Sequence, residues 1–287
     1  MRSRMARFGY SHSMAASKPD SERSLLLSRM ENYLRERPAL GSSSFQPGEG
    51  SEIPPSLTIS RQCGAGFCRI ECSLLEYLDE LEGSDFGNWA LFDQSLLGRY
   101  IDSRPLSGCL IPFEANQAKF PVPSPLQDQF SKPRENWALF NHSANAIRQL
   151  CQSGRCVIVG RAGNLVTCDL ANTFHVRLVA NKSKRIRFIS RRFDLNPAEA
   201  GELVEETDKS RARFVKRNTG VEIDDATFYH LILNTESVPD EVAIRVIADS
   251  MHEWSRLRSL AADSKDRCRD HPQTVDWHAP NVIPGGF

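Results

Sequence analysis

Apolar positions fall into two periods along this chain. Short runs that are apolar almost throughout occur at Leu57-Thr-Ile-Ser60, Trp89-Ala-Leu-Phe92, Cys156-Val-Ile-Val159, Phe174-His-Val-Arg-Leu-Val179 and Tyr229-His-Leu-Ile-Leu-Asn234. Runs of this length, rich in β-branched and aromatic residues and bounded by turn residues, predict buried strands. Between them the spacing lengthens to that of a helix. Residues 67–82 place Ile70, Leu74, Leu75, Leu78 and Leu81 on one face. Further helices are predicted from Asp93 to about Asp102, over 135–152 with Gly154 as C-cap, over 181–193 and 197–217, and over 239–260 behind Pro239. Trp137 and Phe140 read as core residues of the 135–152 helix rather than as a stacking platform.

Strands alternating with helices predict an α/β fold whose mostly parallel sheet is covered on both faces. Ligands of such sheets bind beyond the C-terminal ends of the strands, which brings the loops after Ile59, Val159 and Asn234 to one crevice. The ordered domain is expected over 56–262, with 1–55 a disordered or partly helical leader and linker and 263–287 a flexible tail. Within the leader, 24–38 predicts one short amphipathic helix ending before Pro38, and 41–55 is a Gly-, Ser- and Pro-rich linker. Residues 103–133, with repeated prolines, predict an irregular excursion.

Composition narrows the function classes. The 287 residues hold 36 basic and 36 acidic groups, a net charge of zero, which excludes a strongly basic nucleic-acid or membrane-surface protein by charge alone. No window is apolar enough for a membrane span. Eight cysteines at irregular spacing, with no CxxC, predict free thiols in a reducing, cytoplasmic compartment rather than a zinc site or a disulfide framework. Residues 1–30 are rich in Arg and Ser, a composition shared by organelle transit peptides and by plain disordered leaders with a start at Met14.

Candidate chemistry gathers in three places. The loop Ser60-Arg61-Gln62-Cys63-Gly64-Ala65-Gly66-Phe67-Cys68-Arg69 joins a strand to a helix. A glycine-bearing turn there presents backbone N–H groups and the helix dipole to a phosphate, or serves only as a tight turn. The stretch 177–217 is rich in Arg and Lys, including Arg187, Arg191, Arg211 and Arg213. Arginine forks suit phosphate, whereas pairs such as Glu205 and Lys209 suit a solvated helix face. Gly160-Arg161 follows a buried strand, so that arginine is expected to point into the crevice. Asp93 follows another, where an aspartate caps a helix or meets a substrate hydroxyl. His142, His175 and His230 show no metal-ligand spacing, and no GxSxG is present.

Taken in order, five segments resemble the cytidylate kinase-like family of P-loop nucleoside monophosphate kinases. Leu57-Thr-Ile-Ser-Arg-Gln-Cys-Gly-Ala-Gly-Phe-Cys-Arg-Ile-Glu71 is similar to that family's ITISREYGSGGREIA, and Phe92-Asp-Gln-Ser-Leu-Leu97 to YDKELL. Val157-Ile-Val-Gly-Arg-Ala-Gly-Asn164 is similar to VIVGRGAN, Thr207-Asp-Lys-Ser-Arg-Ala-Arg-Phe-Val215 to VDRARARFV, and Phe228-Tyr-His-Leu-Ile-Leu-Asn-Thr235 to YDLVINT.

The resemblance implies a three-layer α/β/α P-loop NTPase-like fold with a helical lid near 181–220, and phosphoryl transfer from ATP with Mg2+ to a nucleoside monophosphate, CMP or dCMP foremost. By the match, Gly64, Ala65, Gly66, Phe67, Cys68 and Arg69 cradle the ATP phosphates, with Arg61 or Arg69 replacing the missing lysine. Arg187, Arg191 and Arg213 supply lid contacts, Arg161 holds the monophosphate, Asp208 and Arg211 form an Asp-x-x-Arg catalytic pattern, and Asp93 faces the acceptor. No protein ligand for a metal is implied, and the partners are small nucleotides rather than nucleic acid or membrane. The departures are Phe67 at the lysine position, where its ring is expected to crowd the phosphate, Cys68-Arg69 in place of Arg-Glu, and Ala162 in place of the aspartate of typical cytidylate kinases. Two other readings stay open: a nucleotide-binding paralogue that senses or docks without turnover, and a kinase for another small hydroxylated acceptor.

Overall fold

The computed structural model describes residues 20–37, 40, 53–83, 89–102 and 133–263. The expected excursion over 103–133, the tail beyond Asp263 and most of the 41–55 linker lie outside the described residues, except for Pro133 and 53–55. In chain order the elements are α1 (Asp20–Glu36), β1 (Ser56–Arg61), a 3-10 turn (Phe67–Arg69), α2 (Glu71–Leu81), β2 (Ala90–Phe92), α3 (Gln94–Asp102) and α4 (Pro133–Ser153). They continue with β3 (Cys156–Val159), the short α5 (Gly163–Val166), β4 (Thr173–Val179), α6 (Lys182–Phe193), α7 (Pro197–Thr219), a 3-10 turn (Ala226–Phe228), β5 (Leu231–Asn234) and α8 (Asp240–Asp263).

The strands form one parallel sheet in the order β2-β3-β1-β4-β5. Parallel strands covered on both faces have no solvated side, which is why β1, β2 and β3 read as apolar runs rather than as alternation. Leu57 pairs with Val157 on one side and with Phe174 on the other, so β1 lies at the centre of the core. Among the described residues no helix is long and apolar enough to cross a membrane.

Two predicted elements come out shorter. The helix expected over 67–82 begins as the 3-10 turn and turns regular only at Glu71, because Gly66 sits in the left-handed region at φ 85° and sets the entry angle. The last strand starts at Leu231 rather than Tyr229, because the Tyr229 N–H closes the 3-10 turn onto the Ala226 carbonyl.

The helix expected over 24–38 runs from Asp20 and shares the core of the sheet. Leu26, Met30 and Tyr33, one helical face, are buried. Arg29 makes a buried 2.7 Å ion pair with Asp79, which also accepts the Trp89 N–H at 3.0 Å. The Tyr33 hydroxyl donates to the Gly154 carbonyl at 2.7 Å.

A second, smaller apolar cluster joins α6, α7 and the loop after β1: Cys63, Ile189, Ala200 and Val204, with Phe188 and Leu203 packed around them. Helix α7 opens with a full capping box, Asn196 accepting the N–H groups of Ala198 and Glu199 at 3.0 Å while Glu199 accepts that of Asn196 at 3.3 Å.

Candidate functional site

The loop after β1 turns on two glycines, Gly64 at φ 78° and Gly66 at φ 85°. A Cβ on Gly64 would stand 2.8 Å from the Arg185 carbonyl oxygen, which bars a side chain there, whereas one on Gly66 would be strained by its φ and would have to push aside Nη2 of Arg69, 2.8 Å away. The Ala65 N–H closes the turn onto the Gln62 carbonyl at 3.2 Å. The N–H groups of Gly64, Gly66 and Phe67 meet no acceptor among the described residues, so they remain open to an anion. The loop is braced from two strand ends: Gln62 Oε1 accepts the Ala180 N–H at 3.1 Å, and Thr235 Oγ1 donates to the Ala65 carbonyl at 2.8 Å. Phe67 does not crowd this space as the sequence led one to expect. Its ring is 4% exposed and belongs to the main core, because the 3-10 turn rotates the side chain inward.

Beside the loop lies a cleft of about 300 Å3, the lower end of the range for ligand sites. Lys184, Arg187, Phe188 and Arg191 of α6 line it, and their spacing puts all of them on one face of that helix. Lys184 donates to the Glu236 carbonyl. Arg187 and Arg191 are exposed and make no ion pair among the described residues. Arg69 also lines the cleft but is engaged: its fork meets both oxygens of Asp240 at 2.7 Å, which raises its pKa.

A second set of cations occupies the C-terminal ends of β1 and β3. Arg61 has its pKa pushed down to about 9, first by burial and then by the repulsion of Arg211. Glu71 and Asp93 act on it in the opposite direction. Arg211, also lowered by burial, donates from Nη1 to the Arg61 carbonyl at 3.1 Å. Arg161 is lowered by burial too, its Nε is buried without a partner, and its guanidinium lies 5.6 Å from the centre of the Phe214 ring. None of these arginines forms an ion pair among the described residues. Burying a cation without a directly bonded counter-charge is costly, and a bound anion relieves that cost. Gly160, Arg161 and Ala162 run through the left-handed region in succession, at φ 81°, 59° and 55°. Two non-glycine residues there carry strain, and strain collects where a site must hold a fixed shape.

The remaining expected residues separate. Asp93 caps α3, its Oδ1 accepting the Ser95 and Leu96 N–H groups at 2.9 Å, while standing near Arg61. Asp208 has one oxygen on the Cys63 N–H and the other on Arg185. Arg213 is 75% exposed, 4.0 Å from Glu206, and does not line the cleft. Cys68, in the middle of the 3-10 turn, does not line the cleft, whereas Ala65 does. Sequence reasoning left out Lys184, Phe188 and Thr235 as cleft residues. The first two were available from the spacing with Arg187 and Arg191, and Thr235 from its place directly after the last strand.

Residues 104–237 match the model of the cytidylate kinase-like family. Over that stretch the chain resembles the cytidylate kinase-like family. The matched stretch includes Arg161, α6, α7 and β5, and excludes the loop 61–69. A cytidylate kinase from Thermoplasma acidophilum is 29% identical over 102 residues, 35% of this chain, so the match spans 54% of that relative's length. The chain also superposes on an uncharacterized protein from Eubacterium ventriosum at TM-score 0.51, with 17% identity over 71% of this chain and 99% of that one. A shikimate kinase from Bacteroides thetaiotaomicron gives TM-score 0.35 and 14% identity over 72% of this chain and 98% of its own.

Proposed function

We propose that the protein transfers the γ-phosphoryl group of ATP to a nucleoside monophosphate, CMP or dCMP. The observation that carries this reading is that two separate sets of cations flank one loop of open N–H groups. Phosphoryl transfer asks a protein to hold two anions in line and to neutralise the charge between them, and little more. In this reading the donor's phosphates meet the N–H groups of Gly64, Gly66 and Phe67, with Lys184, Arg187 and Arg191 along the cleft. The acceptor's monophosphate meets Arg161 and Arg211, and Arg61, bonded through its carbonyl to Arg211, belongs to the same set and adds charge for the moving group.

Magnesium accompanies the ATP in this reading. The loop offers the ion no hydroxyl, since Cys68 follows the lysine position and Arg69 beyond it is tied to Asp240. Mg2+ keeps most of its waters and binds chiefly to phosphate oxygens, so Glu71 and Asp93, the acids acting on Arg61, are the groups that would meet it through water. The free thiols of Cys63, Cys68, Cys72, Cys151, Cys156 and Cys168 support a reducing, cytoplasmic setting.

The test is coupled-assay turnover of the full chain with Mg-ATP against CMP, dCMP, UMP and AMP, beside calorimetric titration with ATP. Turnover favouring CMP or dCMP is expected. Turnover with another acceptor keeps the kinase and removes the substrate. Binding without turnover replaces the kinase by a nucleotide sensor, and neither binding nor turnover removes both.

A further inference from the structure

Cys63 is gripped by the lid from both sides of its backbone. Its N–H donates to Oδ1 of Asp208 at 2.7 Å, and its carbonyl accepts Nη1 of Arg185 at 3.0 Å. The same Nη1 donates to Oδ2 of Asp208 at 2.6 Å, which closes a ring of hydrogen bonds through one residue, one carboxylate and one guanidinium. Arg185 is fixed in turn by Nε, which donates to the Ala180 carbonyl at 2.9 Å, and its side chain is 8% exposed. The Cys63 side chain is buried in the lid's own core. The Arg185 backbone packs directly on Gly64.

Charge-assisted hydrogen bonds of this kind are the strong ones, and here they are mostly shielded from water. The loop they hold carries two glycines at positive φ, positions 64 and 66, whose backbone freedom has to be fixed from outside. Electrostatic stabilisation depends on donors being aimed beforehand, and an unheld loop of this composition would lose that aim.

We propose that Arg185 and Asp208 are positioning residues that clamp the Cys63 peptide, hold the open N–H groups of Gly64, Gly66 and Phe67 on the donor's phosphates, and make the loop and lid base one body. The inference rests on the reading of this loop as the donor site. It gives Asp208 a different role from the substrate-contacting one implied by family resemblance: both of its oxygens serve the clamp.

The full chain carrying Asp208→Asn, Asp208→Ala or Arg185→Lys tests this by steady-state kinetics and by amide hydrogen exchange. Asp208→Ala should raise the KM for ATP about tenfold with the acceptor KM unchanged and kcat within about threefold. Asp208→Asn keeps an oxygen for the Cys63 N–H and should recover most of that loss. Arg185→Lys keeps charge but loses the fork and should resemble Asp208→Ala. Equal loss of kcat in the Asn and Ala variants, or a raised acceptor KM, would mean that Asp208 touches substrate and would overturn the proposal. Exchange at the Cys63 amide should quicken at least about tenfold in Asp208→Ala while β1 and β4 keep their protection. Unchanged exchange there overturns the clamp. Should the wild-type chain neither bind nor turn over nucleotide, the donor-site reading fails, and exchange alone decides the clamp.

Discussion

Arg61 and Gly160 meet across the ends of β1 and β3: a Cβ on Gly160 would stand 2.4 Å from Nη1 of Arg61. The glycine is therefore required twice, once for its φ of 81° and once for the room it leaves the guanidinium. Gly160→Ala should cost about 1–2 kcal/mol of stability through its left-handed backbone. By displacing Arg61 it should also lower kcat/KM by about a hundredfold. Combining it with Arg61→Ala separates the two effects. If displacement is the cause, the double variant is no slower than Arg61→Ala alone; losses that simply multiply would reject it.

Phe67 stands where the resembled family has glycine, yet restoring that glycine should harm the protein. The ring fills the main core, and truncating a buried phenylalanine costs about 3–5 kcal/mol. Phe67→Gly should shift the urea midpoint accordingly and leave ATP affinity, read by calorimetry, no better than in the wild type. Tighter ATP binding would show that the ring obstructs the loop after all.

The helix α1 is anchored by charge as well as by oil. Arg29 and Asp79 are both almost fully buried, so removing one leaves the other without its counter-charge. Arg29→Met should cost about 3–5 kcal/mol, and the double replacement Arg29→Met with Asp79→Leu should return most of it. Urea melts of the three proteins decide this. A double variant as unstable as the single one would show that the Asp79 bond to the Trp89 N–H matters more than the pair.

His175 gives the fold a dependence on pH. Burial, and then the neighbouring His230, push its pKa down to about 3, and Nδ1 shares a 2.8 Å hydrogen bond with Thr58. The unfolded chain takes up a proton near pH 6.5 that the folded chain refuses, so the stability this group contributes is complete above that pH and drains away toward pH 3. The slope from this group is at most about 1.4 kcal/mol per pH unit. In His175→Asn, melts between pH 7 and pH 4 should lose about one proton of that slope. An unaltered slope would place the acid sensitivity elsewhere.

The sheet was legible because its strands are the simplest pattern in the chain: β1 and β3 are short apolar runs, each followed within a few residues by a glycine that admits positive φ. The cap at Asp93 was legible for the same reason, as a short polar side chain directly before a helical period. What stayed hidden depends on distance or direction. Nothing local marks Arg29 and Asp79, 50 positions apart, as partners. Spacing cannot say that Phe67 turns inward, since a 3-10 turn interrupts the period that would be needed. The basic stretch shows the limit most clearly. Arg177 and Arg185 are buried there, bonded to Asp224 and Asp208, while Arg187 and Arg191 face the cleft from the same stretch. Charge density alone makes them equivalent.

The strand order carries a consequence for a broken chain. A single cut between α3 and α4 would put β1 and β2 on one fragment and β3, β4 and β5 on the other. In the order β2-β3-β1-β4-β5 those fragments interleave, with β3 held between two strands of the first and β1 between two strands of the second. Neither piece could assemble a sheet without leaving an empty slot at its middle. The pieces would complete one another like the teeth of a comb, and the nicked molecule would stay whole until it unfolded.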